Sequence, residues 1–239
     1  MSKPLFRIIG DVHGHYDPYR LIAQDAEYSL QVGDLGFEYD ILKKLDPEHH
    51  KVLAGNHDNY DKWGTEKFIH MQSGHWLGDY GVHTVPGFGD IFFVRGGFSI
   101  DWRYRTEGRS WWKDEEMDMS TLQKAIDLYI EVKPDFVVSH ECPGELIDAV
   151  FGAKMWDGEW LRPSRTARAL DAMWGNHSPK MWVFGHHHKA VTEEVRGTTF
   201  RCVPELGFVD FDSNREIVYA ESNRTDRRPV SSPPEFQDD

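Results

Sequence analysis

Short apolar runs that stop at glycine set the pattern of the first third of the chain. Leu5–Ile9 ends at Gly10, Tyr28–Val32 at Gly33 and Lys51–Ala54 at Gly55. Runs of this length, rich in β-branched and aromatic side chains, predict strands. Between the first two, Pro18–Ala26 reads as a helix with Pro18 in its first turn, where the missing N–H costs nothing. Between the second and third, Tyr39–Asp46 predicts a short helix that stops before Pro47. The order βαβαβ opens a layered α/β domain, whose ligand-bearing loops lie at the carboxyl ends of the strands.

The middle of the chain has a different rhythm. Residues 75–101 carry short runs broken by Gly and Pro, which predict hairpins. Residues 118–132 form the clearest helix, with Leu122, Ile126, Tyr129 and Ile130 on one stripe and Ser120 as its expected cap. Asp135–Ser139 returns to strand, Ser164–Trp174 predicts a second helix capped by Ser164, and Lys180–Phe184 a further strand. From Ala190 to Ala220 the pattern reads as a run of antiparallel strands. Residues 1–222 are read as one domain, because no repeat or linker interrupts them; residues 223–239 lack a core-forming pattern and read as a disordered or loosely packed tail. Trp156, Trp160, Trp174 and Trp182 read as core or interface mass, and Cys142 as a structural thiol.

Composition narrows the functions available. The 239 residues carry 27 Lys and Arg against 40 Asp and Glu, a formal charge of −13. This disfavours a broad grip on long nucleic acid, although bound cations can reverse the field locally. Cys142 and Cys202 are the only cysteines, too few for a disulfide scaffold or a four-cysteine zinc site. No run reaches membrane-spanning length and the first residues lack a signal-peptide pattern, so the expected compartment is the cytoplasm and no membrane partner is expected.

The strand ends carry the chemistry. Asp11 and His13 follow the first strand, Asp34 the second, and Asn56, His57 and Asp58 the third. His140 follows the strand at 135–139, and His186, His187 and His188 follow the strand at 180–184. If the backbone stays extended past Phe184, His186 and His188 share a face and His187 points away. Polar residues after one strand often just start a loop. Five strand ends that all finish in Asp, Asn or His instead suggest convergence on metal ions.

The series Asp11-x-His13, Gly33-Asp34, Gly55-Asn56-His57-Asp58, His140 and Gly185-His186-x-His188 resembles the calcineurin-like metallophosphoesterase superfamily. Its motifs spread over about residues 5–190. The resemblance implies an α/β fold of two mixed β-sheets packed as a sandwich with flanking helices, with a two-metal site at the strand C-terminal ends. It assigns Asp11, His13 and His188 to one ion, Asn56, His140 and His186 to the other, and Asp34 to both. Imidazole mixed with carboxylate and amide oxygen suits borderline divalent ions, Mn2+ first, with Fe2+, Zn2+, Ni2+ or Mg2+ as other candidates. The implied reaction is attack on phosphorus by a hydroxide held between the ions. His57 would assist the leaving group as a general acid oriented by Asp58.

One branch of the superfamily is disfavoured. Ser/Thr protein phosphatases carry GDxxDRG at the second motif and GNHE at the third, whereas this chain has Gly33-Asp34-Leu35-Gly36-Phe37 and Asp58. The expected substrate is therefore a small phosphoester or nucleotide, either diester or monoester. The alternatives are a phosphoprotein phosphatase and a non-catalytic metal-binding interaction protein of the same fold. Residues 94–117 interleave Arg103, Arg105 and Arg109 with tryptophans and a tyrosine. They could hold a phosphate and stack a base, or form a structural cover whose arginines pair with Glu107, Asp114, Glu115 and Glu116.

Overall fold

The computed structural model describes residues 3–62, 74–147 and 164–220. Trp156, Trp160 and the tail at 223–239 lie outside them. The described strands are β1 (Phe6–Ile9), β2 (Tyr28–Gln31), β3 (His50–Val52), β4 (Tyr80–Val85), β5 (Gly89–Val94), β6 (Phe136–Ser139), β7 (Met181–Phe184), β8 (Val191–Val195), β9 (Thr198–Cys202), β10 (Phe208–Phe211) and β11 (Ile217–Ala220). The longer helices are α1 (Tyr16–Gln24), α2 (Met119–Val132) and α3 (Arg165–Asn176). No helix among the described residues is long and apolar enough to cross a membrane.

The strands form two mixed sheets, ordered β11-β10-β1-β2-β3 and β4-β5-β6-β7-β9-β8. β1, β2 and β3 run parallel, as do β5, β6, β7 and β9. Period-two alternation explains why the central strands are apolar throughout. Phe6, Ile8, Ile91, Phe93, Phe136, Val138 and Val183 meet between the sheets. Their neighbours Phe92, Val137 and Trp182 face outward, against Leu122 and Tyr129 of α2 and Leu170 and Met173 of α3. On the opposite side, Ile9 and Val52 pack against Tyr19 and Ala23 of α1. Each large apolar side chain buried this way contributes roughly 1.5–3 kcal/mol, which holds the two sheets together as a sandwich inside two helical layers.

Four local expectations change. The cap of α2 is Asp118, whose Oδ1 accepts from the Thr121 N–H at 2.8 Å; Ser120 sits inside the first turn and donates to the same oxygen. Asp118 wins because it stands one position before the first helical residue, where a carboxylate reaches the third N–H. Tyr39–Asp46 yields only a 3₁₀ turn, Asp40–Lys44. The third strand is His50–Val52, with Leu53 and Ala54 buried just beyond it. The last four strands divide between the sheets: β8 and β9 pair beside β7, with β9 parallel to it, while β10 and β11 extend the sheet of β1. Ser164 caps α3 as expected, accepting from Ala167 N–H at 3.1 Å.

One buried polar group gives the fold a pH signature. His50 lies under α1, with Ser29 Oγ 2.6 Å from its Nδ1 and the Tyr19 hydroxyl on its Nε2. Burial, helped by His75 and Lys51, holds its pKa down at about 3. Above the unfolded value near 6.5 both states are neutral there, so His50 adds no pH dependence. Below it the unfolded chain gains a proton that the folded one refuses. Stability should therefore fall with acidification from about pH 6.5 toward 3, at up to roughly 1.4 kcal/mol per pH unit for this proton. In denaturant melts between about pH 7.5 and 5, His50→Gln should flatten that slope by nearly one proton. Equal slopes for the two proteins would reject the assignment.

Candidate metal centre

The topology brings five strand ends to one edge of the sandwich. β1, β2 and β3 deliver Asp11, His13, Asp34, Asn56 and His57 from one sheet, and β6 and β7 deliver His140 and His186–His188 from the other. The turns are tight. Asp34, His13, His186 and His188 all have positive φ, a conformation that non-glycine residues adopt at a cost of order 1–3 kcal/mol and that clusters at functional sites. A Cβ at Gly55 would overlap the Asp34 carboxylate and the His140 ring, so only glycine lets the third motif close on the second.

Two donor clusters result from these strand ends, and Glu141, Cys142 and His187 form a third such group among the described residues. In the first, Asp11, His13, Asp34 and His188 bring one donor atom each to within 4.8 Å of one another. The His188 Nε2 lies 2.9 Å from Asp11 Oδ2, and 3.0 Å from the His13 Nε2. In the second, Asp34, His140 and His186 meet the same limit, and the Asn56 Oδ1 lies 2.9 Å from the His140 Nε2. Asp34 belongs to both, with Oδ1 3.3 Å from His140 and Oδ2 3.7 Å from His13.

The donor chemistry fits cations. Asp11 and Asp34 are only 0% and 1% exposed, and a buried ionised carboxylate is costly without positive charge beside it. Burial alone would raise both pKa values. The imidazoles of His13 and His188 around Asp11, and of His140 and His57 around Asp34, bring them below the usual range instead. The same attraction outweighs burial at His13, which rises to about 9, and at His140, which also rises. Protons on imidazole thus occupy the role that bound cations would take. His140 Nδ1 lies 2.9 Å from the Val32 carbonyl oxygen, which can only accept, so Nδ1 carries a proton and Nε2 is the ligating nitrogen. With His140 charged, its Nε2 also carries a proton and points it at the Asn56 Oδ1, the place a cation would take.

His186 and His188 are not an extended pair. β7 ends at Phe184 and both histidines turn through positive φ, so they serve different clusters. His187 lies against a buried carboxylate that the motifs do not include: its Nε2 is 2.9 Å from Glu141 Oε1, while Glu141 Oε2 is 3.3 Å from the His186 Nε2. Despite burial, the two imidazoles hold Glu141 down at about 2. Only its position directly after His140 could have drawn attention to Glu141.

The hydrogen bonds of the Asp58 carboxylate run to groups other than the His57 imidazole. The Oδ2 of Asp58 accepts from the backbone N–H of Gly55 at 2.7 Å and of Asp34 at 2.9 Å, and its Oδ1 accepts from the Tyr39 hydroxyl at 3.3 Å. Neighbouring side chains diverge at this turn, so Asp58 ties the second and third motifs together from beneath. His57 instead opens onto a cleft of about 340 Å3, lined by Asp34, Asn56, Ile100, Asp101, Arg105 and His186–His188.

Of the three candidate arginines, Arg105 reaches this cleft. Its Nη1 and Nη2 lie 3.1 and 2.8 Å from the two ring nitrogens of His57, and Asp101 grips its other edge through two 2.7 Å bonds. Burial and then this guanidinium lower the pKa of His57 against the attraction of Asp34. Arg103 lies over the Trp102 ring and Arg109 is exposed. The expected cover pairs differ as well. Glu115 bonds to Ser99, and Glu116 accepts from Ser164 Oγ and Thr166 N–H at the start of α3. Ser99 and Glu115 had no spacing signal, because they become neighbours only through the irregular path of residues 96–116, whereas Asp101 and Arg105 stand four apart.

A calcineurin-like phosphoesterase family model matches residues 5–190. No curated protein sequence matches the chain. Among solved structures, the chain is similar to a candidate 5′-nucleotidase from Staphylococcus aureus at 12% identity and a TM-score of 0.51, over 91% of this chain and 52% of that one. It thus spans about half of that protein's length, and the likeness is one of fold. Phosphopantetheinyl hydrolase from Mycobacterium tuberculosis aligns with 85% of this chain and 90% of its own, at 16% identity and a TM-score of 0.47.

Proposed function

The chain belongs to the calcineurin-like phosphoesterase family, and on that premise we propose that it hydrolyses a small phosphomonoester or phosphodiester with two divalent ions, Mn2+ foremost. The observation that carries this reading is the buried Asp34 carboxylate shared between two donor clusters. Asp11, His13 and His188 would hold one ion, and Asn56, His140 and His186 the other. When bound, the ions would supply Lewis-acid stabilisation of phosphoryl charge and a nucleophile available at neutral pH.

The chain's own groups do the rest. His57 stands where it can protonate the departing oxygen, and its backbone N–H, bonded to Asp34 Oδ1 at 2.7 Å, fixes the turn that carries it. Arg105, held by Asp101 and the Ser110 carbonyl, would turn to the phosphate the two Nη donors that lie against His57. A phosphate dianion taken up by Arg105 would weaken the guanidinium's repulsion of a protonated His57, so that substrate arrival favours the acid form that a proton donor needs. Irregular segments lining the cleft, and not the metal ligands, would then select the ester.

Chelated protein should be inactive and should recover best with Mn2+, assayed on an aryl phosphate, an aryl phosphodiester, cyclic nucleotides and a phosphopeptide. Recovery confined to the phosphopeptide would reverse the substrate assignment. Hydrolysis that persists when metal analysis finds no bound ions would overturn the two-ion reading.

A further inference from the structure

The amide of Asn56 is useful to a cation only through its oxygen. Flipped by half a turn it would present an NH2 group of nearly the same shape and the wrong polarity. Its orientation is set by a buried chain of hydrogen bonds. Asn56 Nδ2 donates to Ser99 Oγ at 3.1 Å, and Ser99 Oγ donates to Glu115 Oε2 at 2.7 Å. Glu115 Oε1 accepts from the backbone N–H of Ser99 at 2.8 Å, which anchors the carboxylate in one rotation. Asn56, Ser99 and Glu115 are 3%, 1% and 2% exposed, so water does not compete for these bonds.

Proton counting fixes the direction of the chain. A serine hydroxyl has one hydrogen; above the pKa of about 7 to which burial pushes Glu115, the ionised carboxylate takes it. Ser99 can then only accept from its other neighbour, and only the NH2 of Asn56 can satisfy it. Oδ1 is left facing His140 and the second donor cluster. We infer that Glu115 and Ser99 are positioning residues that hold the Asn56 amide oxygen toward the second ion. This rests on the two-ion reading above and gives part of the Arg/Trp segment a role distinct from either covering the sandwich or touching substrate.

The polarity of the chain can be reversed without changing its shape. In Glu115→Gln the amide oxygen can still accept from Ser99 N–H, while the amide NH2 donates to Ser99 Oγ. The hydroxyl hydrogen must then turn to Asn56, which favours the flipped amide. Ser99→Ala simply removes the link. Each variant should weaken one of the two Mn2+ binding steps, that of the Asn56 site, by about 10- to 100-fold, the usual cost of losing an outer partner of a metal ligand, with the other little changed.

Calorimetric titration of chelated protein with Mn2+, with circular dichroism as a check on folding, measures both affinities. Asn56→Asp supplies the control, because a carboxylate offers an oxygen whichever way it turns. Adding Glu115→Gln to Asn56→Asp should cost that site less than about threefold, so the two changes are coupled, not additive. Unchanged affinity at that site in both Ser99→Ala and Glu115→Gln, an equal loss at both sites, or full additivity with Asn56→Asp each overturns the inference. Should Glu115→Gln fail to fold, Ser99→Ala alone decides by the same criterion. Wild-type protein that binds fewer than two ions would overturn the two-ion reading and this inference together.

Discussion

Asp34→Asn is expected to lower phosphoester turnover by about three orders of magnitude, roughly 4 kcal/mol of transition-state stabilisation. The asparagine keeps the shape of the side chain and one oxygen. It removes the charge that both donor clusters share, and it sets an NH2 group against one of them. The loss should not come from misfolding. Asp34 has a φ of 59°, a conformation that asparagine accepts better than most residues. The backbone carbonyl of Asp34 still receives the N–H groups of Val12 and His13, at 3.0 and 2.8 Å. Metal analysis after dialysis should find fewer than two ions per chain, while thermal melts of the chelated protein stay close to wild type. Two tightly held ions with near-normal turnover would contradict the shared role of Asp34.

That expectation rests on the part of the protein most legible in its sequence. Asp11, His13, Asp34, Asn56, His140, His186 and His188 each follow an apolar run, and parallel strands place such residues at one edge almost automatically. What lies between the strands is harder to read. The extended geometry expected at His186 and His188 fails because the strand stops at Phe184, and local pattern does not encode where a ladder runs out of partners. The division of β8–β11 between two sheets is hidden for a related reason, since strand pairing is non-local and four short strands in succession do not say which sheet each joins. Glu115 sits among several acidic residues of residues 101–116, and only the folded path shows that it braces Ser99, whereas Asp101 braces Arg105 from four positions away. Asp58 shows the converse. Its place beside His57 suggests a pair, but the turn sends its carboxylate to the backbone of Gly55 and Asp34.

This last difference sharpens the test of His57. Replacing His57 by Asn or Gln keeps a polar group of similar reach and deletes the transferable proton. On an alkyl phosphoester the variant should lose about 10²- to 10⁴-fold in turnover, the range of a positioned general acid. On a nitrophenyl ester the loss should shrink, because nitrophenolate leaves with little need of a proton. Metal content should be unchanged, since the imidazole of His57 belongs to neither donor cluster. Asp58→Asn should follow another course. With no bond to the imidazole, the Asp58 carboxylate cannot tune the proton donor directly, whereas its bonds to Gly55 and Asp34 secure the two loops that carry the ligands. Its replacement should therefore reduce thermal stability and metal affinity, and slow good and poor leaving groups alike. A plot of log turnover against leaving-group pKa separates the two residues: steeper than wild type for the His57 variants, parallel to wild type for Asp58→Asn. Parallel lines for both would remove His57 from the proton-transfer step, and a steep line for Asp58→Asn would restore the paired acid that the motif alone suggests.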